Sequence, residues 1–491
     1  MEKTLETIEP DTLHDPAERK KGRYGFRARL GGVRAVLQRI VTKPQYLFLV
    51  IATIFGLMMV VINPAFHVSD EIAHFQKSYS LSQGHLLPVS HWQEGETLHG
   101  FVLPKSLGQT VVTIKFERAT RLMKPSDTVA GFDVPLKAGD TIFYDNAVIG
   151  YYPPVQYIPQ AVAMAVGRVF GAPVLALLYL GRLFNLLAWL GIVFLAIAIT
   201  PVMKWPLFLL GIMPMNIHQA ASLSGDCVTV GLSLLTVAFF LRLALAEDKP
   251  IIQSSDYVYM FLLGVGMALV KQPYFLLMLL FFMIPSERLG GRKRYFIVGA
   301  LLIIVTFGVG LGWSLMEKGR IVQVSAAVNQ AEQMKFILSN PVTFARILVR
   351  TFLYWKLDFV STSVGAIGLM ESTFPIWFGF LYFFTLVSTV AIDSGTPVVK
   401  PRQKLVSTGT MVLTGVAVMT ATYLFGTVVR GPMVTGIYGR YWIPLIPLLL
   451  LLFKNKSIKY EKGKWFYAFM WAFSLFALIF SGYMVLQTFY Y

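Results

Sequence analysis

The chain has 491 residues, of which 55% are hydrophobic and 14% charged, a net charge of +17 and one cysteine. A chain this apolar is a polytopic membrane protein and not a soluble globule; its basic residues cluster beside apolar runs, where they set topology and meet anionic lipid, not nucleic acid. Cys227 alone excludes an internal disulfide and any multi-cysteine metal site.

Residues 1–44 form a basic tail, with nine Lys or Arg and no acid between Arg19 and Lys43. The positive-inside rule places this tail in the cytoplasm, and the lack of a small-residue cleavage site makes the following span a signal anchor. Apolar runs long enough for a bilayer core of about 30 Å predict membrane helices at 45–63, 175–199, 205–219, 222–245, 255–270, 272–285, 295–316, 373–393, 406–428, 441–453 and 465–487. The expected fold is therefore an all-α polytopic bundle of about eleven spans. With that count the clusters at Lys204, Arg242 with Lys249, Arg288 to Arg294, Lys400 to Lys404 and Lys454 to Lys464 all face the cytoplasm. The organisation that follows is an outer loop at 64–154, membrane helices at 155–316, a second outer loop at 317–372 and C-terminal helices at 373–491. Within the second loop, the aromatic and basic stretch Val342 to Val360 reads as an interfacial helix.

Chemistry concentrates in the first outer loop. Ser69 is a suitable N-cap for a helix running to about Ser82, with Asp70 and Glu71 in its first turn. A helix dipole favours acids there without any catalytic role. However, Asp70, His74 and Lys77 recur at helical spacing and so share one face, beside an apolar stripe of Ile72, Phe75 and Tyr79. A carboxylate, an imidazole and an ammonium together suit an acceptor hydroxyl and a phosphate. The loop's five histidines, His67, His74, His85, His91 and His99, fit no metal-ligand spacing, and no metal is expected.

Later segments bring further polar groups to the same expected side. These are Tyr152 and Tyr157 in a proline-rich re-entry, Ser222 and Asp226 at the start of a span, and Lys271 and Tyr274 at the turn broken by Gln272-Pro273. Arg430, Arg440 and Tyr441 flank the last outer loop. Several cations on one face suggest an anionic ligand. Arg168 and Arg182 carry less weight, since packing or interface anchoring explains them as well.

The ordered pieces resemble a bacterial family of membrane proteins known as domain of unknown function 2142, grouped with the GT-C superfamily of lipid-phosphate-sugar glycosyltransferases. The pieces are Asn63-Pro64, Asp70-Glu71-Ile72-Ala73-His74-Phe75, Gly84-His85-Leu86 and Tyr152-Pro153-Pro154-Val155-Gln156-Tyr157. Downstream come Leu180-Gly181-Arg182-Leu183-Phe184-Asn185, Pro214-Met215, Gln219 to Asp226, Lys271-Gln272-Pro273-Tyr274 and Gly439-Arg440-Tyr441. Two positions depart from the family pattern, where Ile72 and Gly225 stand in place of prolines. The resemblance implies a GT-C-like helical bundle with a membrane-surface site centred on the acidic motif, and no metal.

The resulting expectation is an inverting glycosyltransferase of the bacterial inner membrane, with its site on the extracytoplasmic face. It would move a sugar from a polyprenyl-phosphate donor to an envelope glycan such as O-antigen, with no cofactor. Asp70 is expected as general base and Glu71 as its support. Arg440, Lys271, His74, Lys77 and Arg430 would meet the donor phosphate. Tyr152, Tyr157, Asp226, Ser222, Tyr274 and Tyr441 would contact substrate. The alternatives are a transporter or flippase of lipid-linked sugars, or an O-antigen polymerase or ligase.

Overall fold

A computed structural model of the protein describes residues 41–491 apart from 94–95, 117–121, 147–148, 249–250, 318–327, 369–370, 394–396, 456–457 and 459. The basic tail up to residue 40, together with Lys249, Lys456 and Lys459 of the cytoplasmic clusters, lies outside the described residues.

Among the described residues, six helices are long and apolar enough to cross a membrane: Pro44–Ile62, Val174–Ile199, Asp226–Leu245, Arg292–Glu317, Pro401–Gly426 and Lys464–Phe489. A seventh arises if Gln330–Ser339 and Pro341–Val364, bent by 107°, count as one broken span. This corrects the expected count of eleven downward. The remaining apolar runs exist but are short. The 205–219 run is two helices, Lys204–Gly211 and Pro214–Ala220. Pro214 forces Met213 into extended backbone at φ −53 and ψ 131, which interrupts the helix between them. The break at Gln272-Pro273 is real as well. One helix ends at Ala268, Lys271 is extended, and Gln272–Met283 continues as a 3-10 helix of 12 residues. Such a segment rises about 2 Å per residue, so a short sequence covers more depth than an α-helix of the same length. Hydrophobicity counts alone could not distinguish these broken elements from full spans.

The 64–154 segment is folded on top of this bundle and adds a three-stranded sheet to a mostly helical chain, whose other sheet is a two-stranded pairing of Ala366–Ile367 with Ser372–Thr373. Three antiparallel strands, β1 Val89–Gln93, β2 Glu96–Pro104 and β3 Thr141–Asp145, set Phe101 opposite Tyr144 and Leu103 opposite Ile142. Phe101 and Leu103 point inward and join Phe75, Tyr79, Met164 and Leu178 in a second apolar core, separate from the main core of the bundle. The stripe of Phe75 and Tyr79 is thus buried between the sheet and the Ile158–Val169 helix. Arg168 of that helix donates to the Ser82 carbonyl at 3.1 Å and closes the end of the Glu71–Ser82 helix. The expected interfacial helix spans Pro341–Val364.

Candidate functional site

The acidic pair divides into two unlike groups. Glu71 is 1% exposed, and its two oxygens accept from Arg182 Nε at 2.9 Å and Nη2 at 2.6 Å. The Leu223 backbone N–H adds a third bond at 3.1 Å. Arg182 gives its other donors to the carbonyls of Val60, Asn63 and Pro64. A guanidinium has five N–H groups, and these contacts use them all. The pair joins the end of the first span to the Val174–Ile199 and 222–226 region. Both oxygens of Glu71 are therefore engaged.

Asp70 is the opposite case. Its side chain is exposed, and among the described residues no hydrogen bond or ion pair holds its carboxylate. Its backbone is left-handed at φ 58, so it stands at the N-cap and not on the helical face that its spacing suggested. Asp tolerates this conformation better than most residues, and such non-glycine strain concentrates at functional sites. Ser69 does not cap the helix; its hydroxyl donates to the Gly368 carbonyl at 2.6 Å.

Asp70 acts electrostatically on His74, Tyr157 and Arg440. His74 is buried, with Nδ1 2.9 Å from the Tyr157 hydroxyl. Burial lowers the imidazole pKa against the pull of Asp70 and Asp226, so His74 brings hydrogen-bonding capacity and not a positive charge at neutral pH. Lys77 leaves the site. It is fully buried and donates to the carbonyls of Leu86 and Gly150, each at 2.7 Å. Its long stem reaches into the 64–154 fold, a direction that helical spacing does not determine.

Two of the cations expected at an anion site, Lys271 and Arg440, gather around Asp226. Lys271 Nζ lies 3.0 Å from one carboxylate oxygen and Arg440 Nε 3.4 Å from the other. All three side chains keep partial access to solvent, at 21%, 11% and 16% for Lys271, Arg440 and Asp226. The Tyr441 ring sits 4.2 Å from Lys271 Nζ and 5.5 Å from the Arg440 guanidinium, and Tyr152 adds a second ring face at 5.7 Å from Lys271. Tyr274 donates to the Tyr441 carbonyl at 2.8 Å and holds that segment in place.

Two glycines make this assembly possible. A Cβ on Gly225 would fall 2.5 Å from Gln156 Oε1, and Gln156 in turn donates to the Val270 carbonyl beside Lys271. A Cβ on Gly439 would collide with the backbone of Ser363 and Phe359 in the Pro341–Val364 helix. The Gly439 N–H and carbonyl bond the hydroxyls of Thr362 and Ser363 at 2.9 Å each. Arg440 is thereby fixed from its own backbone.

Two further expected residues stay apart. Ser222 is buried and bonds the Gln219 carbonyl and the Ser224 N–H, a local turn contact. Arg430 is exposed, and among the described residues no contact ties its side chain to the Asp226 cluster. Among the described residues, no three His, Cys, Asp or Glu side chains gather to hold a metal ion.

Beside the cluster runs an apolar groove of about 530 Å³, between the Pro341–Val364 and Pro401–Gly426 helices. Phe352, Phe359, Met411, Gly415 and Trp442 line it, and Lys356 is its charged residue. Trp442 lies in the same 3-10 segment as Arg440, Gly439–Leu445, so the groove and Arg440 share an element.

The acidic motif, the Asp226 segment and the Gly439-Arg440-Tyr441 segment all fall within residues 53–449, which match the family described as "Predicted membrane protein (DUF2142)". The chain belongs to this family. No curated protein and no solved structure gives a match. As a DUF2142 member it is a multi-pass membrane protein. Arg182, to which sequence reasoning gave low weight, is the residue that holds Glu71 of the acidic pair; Asn63, Gln156 and Asn185 are buried in the framework around it.

Proposed function

We propose that this DUF2142 protein is an integral-membrane glycosyltransferase of GT-C type, transferring a sugar from a polyprenyl-phosphate donor to a glycan acceptor. The observation that carries the reading is an exposed Asp70 carboxylate, unpaired among the described residues, within electrostatic reach of Arg440, one of two cations grouped with aromatic rings. The adjoining apolar groove supports a lipid-linked substrate. The basic residues ahead of the first span support an extracytoplasmic site on the inner membrane by the positive-inside rule.

In this reading Asp70 takes the proton of the acceptor hydroxyl as its oxygen attacks the anomeric carbon. The bond from that carbon to the phosphate oxygen breaks, and inversion follows from a single displacement. Lys271 and Arg440 meet the charge that grows on the phosphate, which is where fixed cations lower the barrier. Glu71, through Arg182, holds the Asp70 turn, and Tyr152, Tyr274 and Tyr441 shape the phosphate site. No cofactor enters the scheme.

Asp70→Asn tests it cleanly, because Asn also tolerates left-handed backbone. Transfer of radiolabelled sugar from polyprenyl-phosphate donors, in membranes with matched protein levels, should fall by about 10² to 10⁴ with donor binding retained. Undiminished transfer would remove Asp70 from the chemistry and return the transporter reading.

A further inference from the structure

Lys271 and Arg440 already hold an anion. Asp226 offers one oxygen to each, at 3.0 Å and 3.4 Å, as two non-bridging phosphate oxygens would between the same cations. We infer that Asp226 is a built-in competitor for the phosphate, which makes the site prefer a phosphodiester to a phosphomonoester. This rests on the reading above.

Two cations and one carboxylate leave a single positive charge. His74 adds none at neutral pH, and Asp70, the other acidic residue acting on Arg440, is exposed, where water screens its effect on this balance. A sugar–phosphate–lipid diester carries one negative charge and matches that balance. During transfer the electron pair of the broken carbon–oxygen bond stays on the phosphate, and the acceptor's proton goes to Asp70. The lipid monoester left behind carries up to two charges, since its second pKa is about 6. Like charges brought close in a part-buried setting repel strongly. Asp226 therefore expels product and admits donor, which binding by the cations alone would not do: equal grip on both would favour product inhibition.

The test is calorimetric binding of two probes to the full-length protein in nanodiscs, a short-chain polyprenyl monophosphate and its methyl phosphodiester. At neutral pH the wild type should bind the diester more tightly, and this preference should shrink below about pH 6, where the monoester keeps one charge. Asp226→Asn should bind the monoester at least about tenfold tighter, a 1.4 kcal/mol change, with a smaller gain for the diester. Equal wild-type affinities at neutral pH would overturn the inference even if the variant fails to fold. So would monoester affinity in folded Asp226→Asn that is unchanged or weaker. If neither folded protein binds either probe, the phosphate site itself is wrong, and the proposed function falls with it.

Discussion

Two adjacent carboxylates, Asp70 and Glu71, end in opposite environments because only one finds a guanidinium. Arg182 lies 111 residues further on and is fully buried with its partner. Burying an ion pair gains little over an apolar pair, but removing one member strands the other charge. Arg182→Met should therefore destabilise the protein by about 3–5 kcal/mol, read as a lowered unfolding midpoint in detergent. Asp70→Asn should leave that midpoint nearly unchanged, since its carboxylate has no bond to lose. Local spacing treated the two acids alike, because the difference lies in a contact made across the chain.

At the scale of elements, the site depends on a helix and a 3-10 segment approaching at backbone distance. The hydroxyls of Thr362 and Ser363 reach the Gly439 backbone, and the Gly439–Leu445 segment then carries Arg440, Tyr441 and Trp442. Gly439→Ala would push the two apart, and overpacking of this kind costs about 1–3 kcal/mol. Monophosphate-lipid binding should weaken by tenfold or more as Arg440 shifts, since 1.4 kcal/mol is a factor of about ten. Unchanged binding in a folded Gly439→Ala protein would show that Arg440 does not set affinity. The sequence marked Gly439-Arg440-Tyr441 as a unit but offered no reason for its glycine. The reason is the neighbouring helix.

For the molecule as a whole, the long spans were legible and the broken ones were not. Uninterrupted apolar runs such as 175–199 and 465–487 correspond to the helices Val174–Ile199 and Lys464–Phe489. Runs punctuated by Pro214 or Pro273 became short helices, so the eleven predicted spans reduce to six or seven by length. The fold of the 64–154 segment is linked to stability through Lys77, which bonds carbonyls at Leu86 and Gly150, near the sheet's two approaches. Burial lowers the Lys77 pKa to about 7, with Glu317 opposing the shift. Between that value and the ordinary 10.5 the unfolded chain binds more protons, so stability should rise with pH across this window. Each unit of depression is worth about 1.4 kcal/mol. Thermal unfolding against pH should show that rise in the wild type and a flatter profile in Lys77→Met.

The sequence by itself determined that the protein lives in a membrane, where its long helices run and which short polar motifs interrupt them. Those are consequences of apolar length, charge placement and proline, all local along the chain. Only tertiary structure decided which of these polar groups meet. It buried Glu71 on Arg182, turned Lys77 away and closed Lys271 and Arg440 around Asp226, while Asp70 stayed exposed. A side chain's charge state and reactivity follow from its nearest partners and its access to water, and these are supplied by segments far apart along the chain, as Arg182 is from Glu71 by 111 residues.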